Sequence, residues 1–322
     1  MSKSEMTSEK LYVSSSPHFF SSEDTRRIMY LVILALLPLT AMAVYTFGFY
    51  SHLVILSSLA GALGAEAFAL YLRRRPLSIL LDGSAFLTGL LLAFCLPPKI
   101  PLWLPFIGSA FAILVGKQFF GGLGHNVFNP ALVGRAFLLI SWARYLTSNW
   151  YQTLSVDAFS GATPLFLAKQ VRAGELAYSF TRFYQPYLIQ NPYGCIGEVS
   201  ALLIILGGLF LIVFRVVNWE IPLGYIGASA LTAAIFGGDV VFHLLAGGLL
   251  FGAFFMATDY VTTPLTRQGR FIFGLGCGFL NILIRLFSTG FVEATTYAIL
   301  FMNALTPLID YFIKPRRFGE KR

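Results

Sequence analysis

Apolar runs long enough to cross a bilayer recur from end to end of this chain, separated by short segments of basic and turn-forming residues. Window hydropathy predicts about ten spans, near residues 28–48, 52–72, 79–97, 102–117, 127–143, 199–217, 222–238, 240–258, 270–288 and 294–313. The weakest is 79–97. Asp82, Gly83 and Ser84 open it and Pro97 and Pro98 close it, so a broken or half-length helix shielded by protein is expected there. One long interval, 144–198, divides the spans into two sets of about five. With an odd number in each set, any internal repeat has to be inverted across the membrane. Weak likeness supports a repeat: Ile113-Leu114-Val115 ahead of Lys117 and Gly121-Gly122 resembles Ile282-Leu283-Ile284 ahead of Arg285 and Thr289-Gly290. Leu87 to Phe94 is likewise similar to Ala246 to Phe254, although apolar sequence of low complexity matches itself easily. The expected fold is an all-α polytopic membrane protein, with about ten transmembrane helices in two inverted repeats and one long extracytoplasmic loop. Residues 1–27 are an N-terminal segment, 28–143 the first repeat, 144–198 the loop, 199–313 the second repeat and 314–322 a tail.

Composition agrees. Charged residues make up 12% of the chain and hydrophobic ones 57%, against about 25% charged in a soluble domain. The net charge of +8 sits between apolar runs, which makes it a topology signal and argues against nucleic acid as a partner. With the N-terminus cytoplasmic, that side collects Arg26, Arg27, Arg73, Arg74, Arg75, Lys117, Arg215, Arg267, Arg270 and the basic tail. The other face has only Lys99, Arg144, Lys169, Arg172 and Arg182. Both termini are therefore expected inside, and the 144–198 loop outside. The first 27 residues lack an apolar signal core, so the first span is expected to direct insertion itself. Cys95, Cys195 and Cys277 are widely spaced without a C-x-x-C, which argues against an iron–sulfur or zinc site held by this chain alone.

Ionisable residues inside or beside spans are costly and need a reason. Arg135 should face protein or cofactor, or cap carbonyls in the bundle. Lys117 and Arg285 read most simply as snorkelling residues near helix ends. Asp82 and Asp239 suit helix caps, and Asp259 is the preferred candidate for an ion path. The four histidines show no paired ligand spacing, and no metal site is expected.

One stretch of the loop stands apart: Asp157-Ala158-Phe159-Ser160-Gly161-Ala162-Thr163-Pro164. By local physics it is a helix start, with Thr163 as N-cap and Pro164 as the first helical residue. A helix N-terminus presents free N–H groups and positive potential that suit a phosphate, Gly161 permits close backbone approach, and Thr163 carries an esterifiable hydroxyl. The pattern D-x-x-S-G-A-T resembles the flavinylation motif of the NqrB/RnfD family, whose members serve Rnf electron-transport complexes and Na⁺-translocating NADH:quinone reductases. Likeness extends to Ser14 through His18, Arg26 through Met29, Gly121 through Ala131 with Gly134 and Arg135, Ala257 through Asp259, and Asn303 with Pro307 through Phe312. The short N-terminus and modest length are closer to the RnfD side. Tyr260 departs from the pattern, which has proline after the aspartate.

The resemblance implies a covalent FMN, joined by phosphoester to Thr163 on the outer side of a bacterial cytoplasmic (inner) membrane. It implies recognition of Asp157, Ser160, Gly161 and Ala162 by a flavin transferase that takes FMN from FAD. It further implies membrane, flavoprotein and iron–sulfur partner subunits, coupling of ferredoxin and NAD⁺ to Na⁺ or H⁺ movement, and a second, non-covalent flavin such as riboflavin that no residue locates. Arg135 is a candidate contact for flavin or phosphate. The rival expectation is a solute channel or secondary transporter with inverted repeats, which has no need of the loop motif. A scaffold subunit with a vestigial flavin site is a third.

Overall fold

In the computed structural model, residues 25–148, 154–156, 159–162, 165, 168, 180–288 and 294–314 are described. The N-terminal segment up to residue 24, Asp157, Thr163 and the tail from residue 315 lie outside them. Helices α1 (Thr25–Phe47) and α2 (Phe49–Leu72) are apolar over most of their length. Gly48, with φ of 82°, turns the chain between them in a conformation that costs other residues dearly. Together with α11 (Arg267–Phe287) these are the helices long and apolar enough to span a membrane among the described residues.

The rest of the first half comprises α3 (Ser84–Phe94), α4 (Trp103–Phe111, continued by a π-helical turn over Ala112–Gln118) and α5 (Pro130–Ser148). The loop contributes an antiparallel pair, β1 (Leu154–Val156) and β2 (Phe159–Ala162), and then α6 (Thr181–Ile189). The second half has α7 (Ala201–Val213), α8 (Glu220–Ile235), α9 (Val240–Leu245), α10 (Leu249–Phe251, continued by a π turn over Gly252–Met256), α11 and α12 (Ala294–Phe312). The protein is helical and polytopic, as expected.

The half-length helix foreseen at 79–97 is α3. Asp82 accepts from the Ser84 N–H at 2.8 Å, Gly83 is left-handed, and 11 residues reach only about 16 Å. The expected single span 240–258 is corrected: the chain breaks at Ala246 to Gly248, and Gly247 and Gly248 both have positive φ. Hydropathy missed the break because alanine and glycine do not lower it.

The two short helices meet end to end in the core. Phe94 packs edge-on to Phe251 at 5.8 Å, and Cys95 Sγ lies 3.6 Å from Met256 Sδ. Their terminal carbonyls are occupied by protein donors. Asn129 Nδ2 donates to Met256 O at 3.1 Å, Ile196 N to Leu96 O at 3.0 Å, and Cys195 Sγ to Cys95 O at 3.3 Å. Buried polar groups thus find partners where lipid and water offer none.

Candidate functional site

A cavity lies among the starts of α1 and α3, the 119–129 connector and the 257–266 connector. Its walls are largely apolar, including Met29, Leu87, Leu91, Phe254 and Phe255, with Ser84, Lys117, Asn126, Asn129 and Asp259 converging on it. Asn129 is placed by helix chemistry: it precedes Pro130, the first residue of α5, and its Oδ1 accepts from the N–H groups of Ala131 and Leu132. Its own N–H donates to Asn303 Oδ1, which ties α12 to the same point. Asn126 Nδ2 donates to Asp259 Oδ2 at 3.4 Å, and Asp259 Oδ1 accepts from Val261 N in a turn.

Lys117 and Arg285 do not snorkel, which corrects the simple reading. Each is 2% exposed. Lys117 Nζ contacts Glu66 Oε1 at 2.8 Å and Ser84 Oγ at 2.7 Å. Arg285 donates to His243 O at 2.6 Å and Gly247 O at 2.8 Å, satisfying carbonyls at the break before α10. Such partners offset the cost of burying a cation.

The far end of α10 faces the loop. Leu165, two residues beyond Thr163 in sequence, is buried with Phe180, Phe183, Tyr187 and Phe242. Its Cδ2 lies 3.0 Å from where a Cβ on Gly247 would stand, so the chain after the motif sits against the glycine turn. Glu198 accepts from the Gly248 N–H. Tyr184, on α6, donates to both oxygens of Asp239, and that bond holds the phenol up at about 12. Asp239 also caps α9 through Phe242 N.

Among the expected site residues, Ser160, Gly161 and Ala162 belong to β2, the strand that runs up to the helix start expected at Thr163 and Pro164, which lies outside the described residues. Asp157 and Thr163 lie outside the described residues. Arg135, on α5, is buried with Nη2 3.8 Å from Cys195 Sγ and does not line the cavity. Asp259 does line it. Sequence reasoning did not single out Asn129 as a site residue, though Asn before Pro is a helix-start signature. Nothing local marked Glu66 as the partner of Lys117.

Asp259 stands in the connector beyond the helical segments, and burial pushes its carboxyl from 3.8 up to about 6. A carboxyl raised on folding contributes its stability below the ordinary carboxylate value and loses it as pH rises through about 6. Asp259→Asn is therefore expected to raise the Tm of the purified protein at about pH 8 and to leave it unchanged near pH 4. An equal shift at both values would show that the charge is not what costs stability.

Comparison with known proteins gives consistent matches. The family profile described as NQR2, RnfD, RnfE matches residues 12–319. The D subunit of the proton-translocating ferredoxin:NAD(+) oxidoreductase complex of Clostridium ljungdahlii is 44% identical over the whole of both chains. The D subunit of the Na(+)-translocating ferredoxin:NAD(+) oxidoreductase complex of Acetobacterium woodii is 43% identical, covering 98% of this chain and 97% of that protein. The D subunit of the ion-translocating oxidoreductase complex of Stutzerimonas stutzeri is 44% identical, covering 91% and 92%.

Proposed function

Because this chain belongs to the NQR2, RnfD, RnfE family, we propose that it is the electron-carrying flavoprotein subunit of an ion-translocating ferredoxin:NAD⁺ oxidoreductase complex. It is a multi-pass membrane protein, and the names of its relatives make it one subunit among several. Thr163 carries FMN by phosphoester, installed by a flavin transferase that recognises Asp157, Ser160, Gly161 and Ala162. The termini are cytoplasmic, the bacterial inner membrane holds the two repeats of 28–143 and 199–313, and the loop is extracytoplasmic. Electrons pass between this flavin and partner flavoprotein and iron–sulfur subunits, with Na⁺ or H⁺ movement coupled in the complex. Asp259 is the candidate for cation or proton contact on this chain.

The cavity is the candidate site for the second, non-covalent flavin. Such a ring system has an apolar benzenoid edge and a polar edge of donors and acceptors. The cavity matches it with apolar walls on one side and the Asn126 and Asn129 amides, Asp259 and Lys117 on the other. A bound flavin supplies the redox chemistry; these side chains bind it, orient it and keep water out.

One observation carries the reading. The single segment from Gly247 to Asp259 touches Leu165 of the motif loop at one end and lines the cavity at the other. Its helical part, Leu249 to Met256, covers roughly 12 Å at 1.5 Å per residue. Phe251 and Phe255 stack along it at 5.4 Å. This short packed bridge favours electron passage. A solute channel needs an open path, whereas the meeting of Cys95 with Met256 and the capped carbonyls there fill the core with protein.

The test is flavin accounting. Protein co-expressed with an FAD-dependent flavin transferase is expected to fluoresce as a denatured gel band and to release a second flavin into acid. A dark band together with a flavin-free extract would overturn the proposal.

A further inference from the structure

The cavity contains a cation whose charge is held by a carboxylate that stands behind it. Lys117 lines the cavity, while Glu66, its 2.8 Å partner on α2, does not. An ammonium has three N–H donors. Those of Lys117 serve Glu66 Oε1 and Ser84 Oγ, and the third has no acceptor among the described residues. Ser84 is itself fixed by donating to Asp82 at 2.6 Å, so the ammonium is anchored from two sides. Glu66 Oε2 is buried without a hydrogen-bond partner among the described residues. A pair built only for stability would leave neither group incomplete, because desolvating both charges costs more than one short contact returns.

We propose that Lys117 is a positioning residue for the cavity flavin, presenting its remaining N–H to the polar edge and favouring the negative charge that reduction places on the ring. Glu66 moderates this cation from behind. Asp259 is the carboxylate on the cavity wall and opposes Lys117 from the 257–266 connector. The inference rests on the cavity being a flavin site, and it adds the residue that sets how readily that flavin is reduced. Burial makes the effect large, since charges act further where water is excluded.

The experiment is a potentiometric titration of purified protein in a Thr163→Val background, where the non-covalent flavin is the remaining chromophore. Glu66→Gln leaves the lysine without its counter-charge and is expected to shift the reduction equilibrium at least tenfold toward the reduced form, about 59 mV per electron. The double variant Glu66→Gln, Lys117→Gln keeps an uncharged hydrogen-bonded pair of similar volume and is expected to shift it in the opposite direction. Loss of flavin from the double variant, with retention in Glu66→Gln, would equally support a contact. Flavin retained in both with unchanged potential would overturn the role of Lys117, as would loss from both. If the Thr163→Val protein releases no flavin into acid, the cavity reading itself fails, and this inference with it.

Discussion

Thr163→Val is expected to abolish the flavin fluorescence of the denatured protein while leaving its insertion and yield unchanged. Valine matches threonine in shape and in β-branching, so the only chemistry removed is the hydroxyl that would carry the phosphoester. A covalent bond is all or nothing on a denaturing gel, which makes this the largest effect open to a single substitution. Ser155→Ala is the control: Ser155 lies in β1, outside the residues the transferase recognises, and its loss should leave a fluorescent band. Peptide mass spectrometry then identifies the modified residue. An unmodified Thr163 in protein from an active, assembled complex would remove the covalent half of the proposal, while the cavity and its Lys117–Glu66 pair would remain to be judged by the acid-released flavin.

The long helices were open to sequence reading because their physics is local. A stretch such as Thr25 to Phe47 has to satisfy its own backbone in lipid, and hydropathy sees that directly. The break at α3 was visible because Asp82, Gly83 and the Pro97-Pro98 pair are polar or rigid punctuation. Its counterpart before α10 was hidden, since Gly247 and Gly248 act through dihedral angles that a hydropathy window cannot register. The cavity was read only in fragments. Asp259 and the segment holding Asn126 and Asn129 stood out separately, but their meeting joins positions 133 residues apart. The Lys117–Glu66 pair spans 51 positions and the Cys195–Cys95 contact 100, so a lysine near a helix end looked like a snorkelling one. Side-chain chemistry was legible one residue at a time; charge pairing across the bundle was not.

Packing between α8 and α11 yields the second large effect. Helices in a membrane gain nothing from hiding apolar surface, so close association depends on small residues that let backbones touch. Gly274 and Gly278 are four apart on α11, and Gly224 faces them from α8. A Cβ on Gly274 would stand 2.5 Å from Ile221 O, and one on Gly224 2.8 Å from Phe271 O. At Gly278 the obstacle is Tyr225 O, still closer, with Ala228 Cβ and Ser229 N at 3.0 Å. These are mostly backbone atoms and cannot turn aside, so Gly278→Val has to push the helices apart. The strain would reach Tyr225, whose hydroxyl accepts from Asn281 on the same pair of helices. The expected penalty is about 3 kcal/mol or more, the upper range for overpacking, read as a lowered unfolding temperature and loss of the monodisperse peak in detergent. Gly276→Ala is the informative contrast. Its new methyl would meet the end of the Met302 side chain, a flexible group that can rotate away, so only a small shift is expected. Equal tolerance of both substitutions would mean that α8 and α11 are not held at backbone contact.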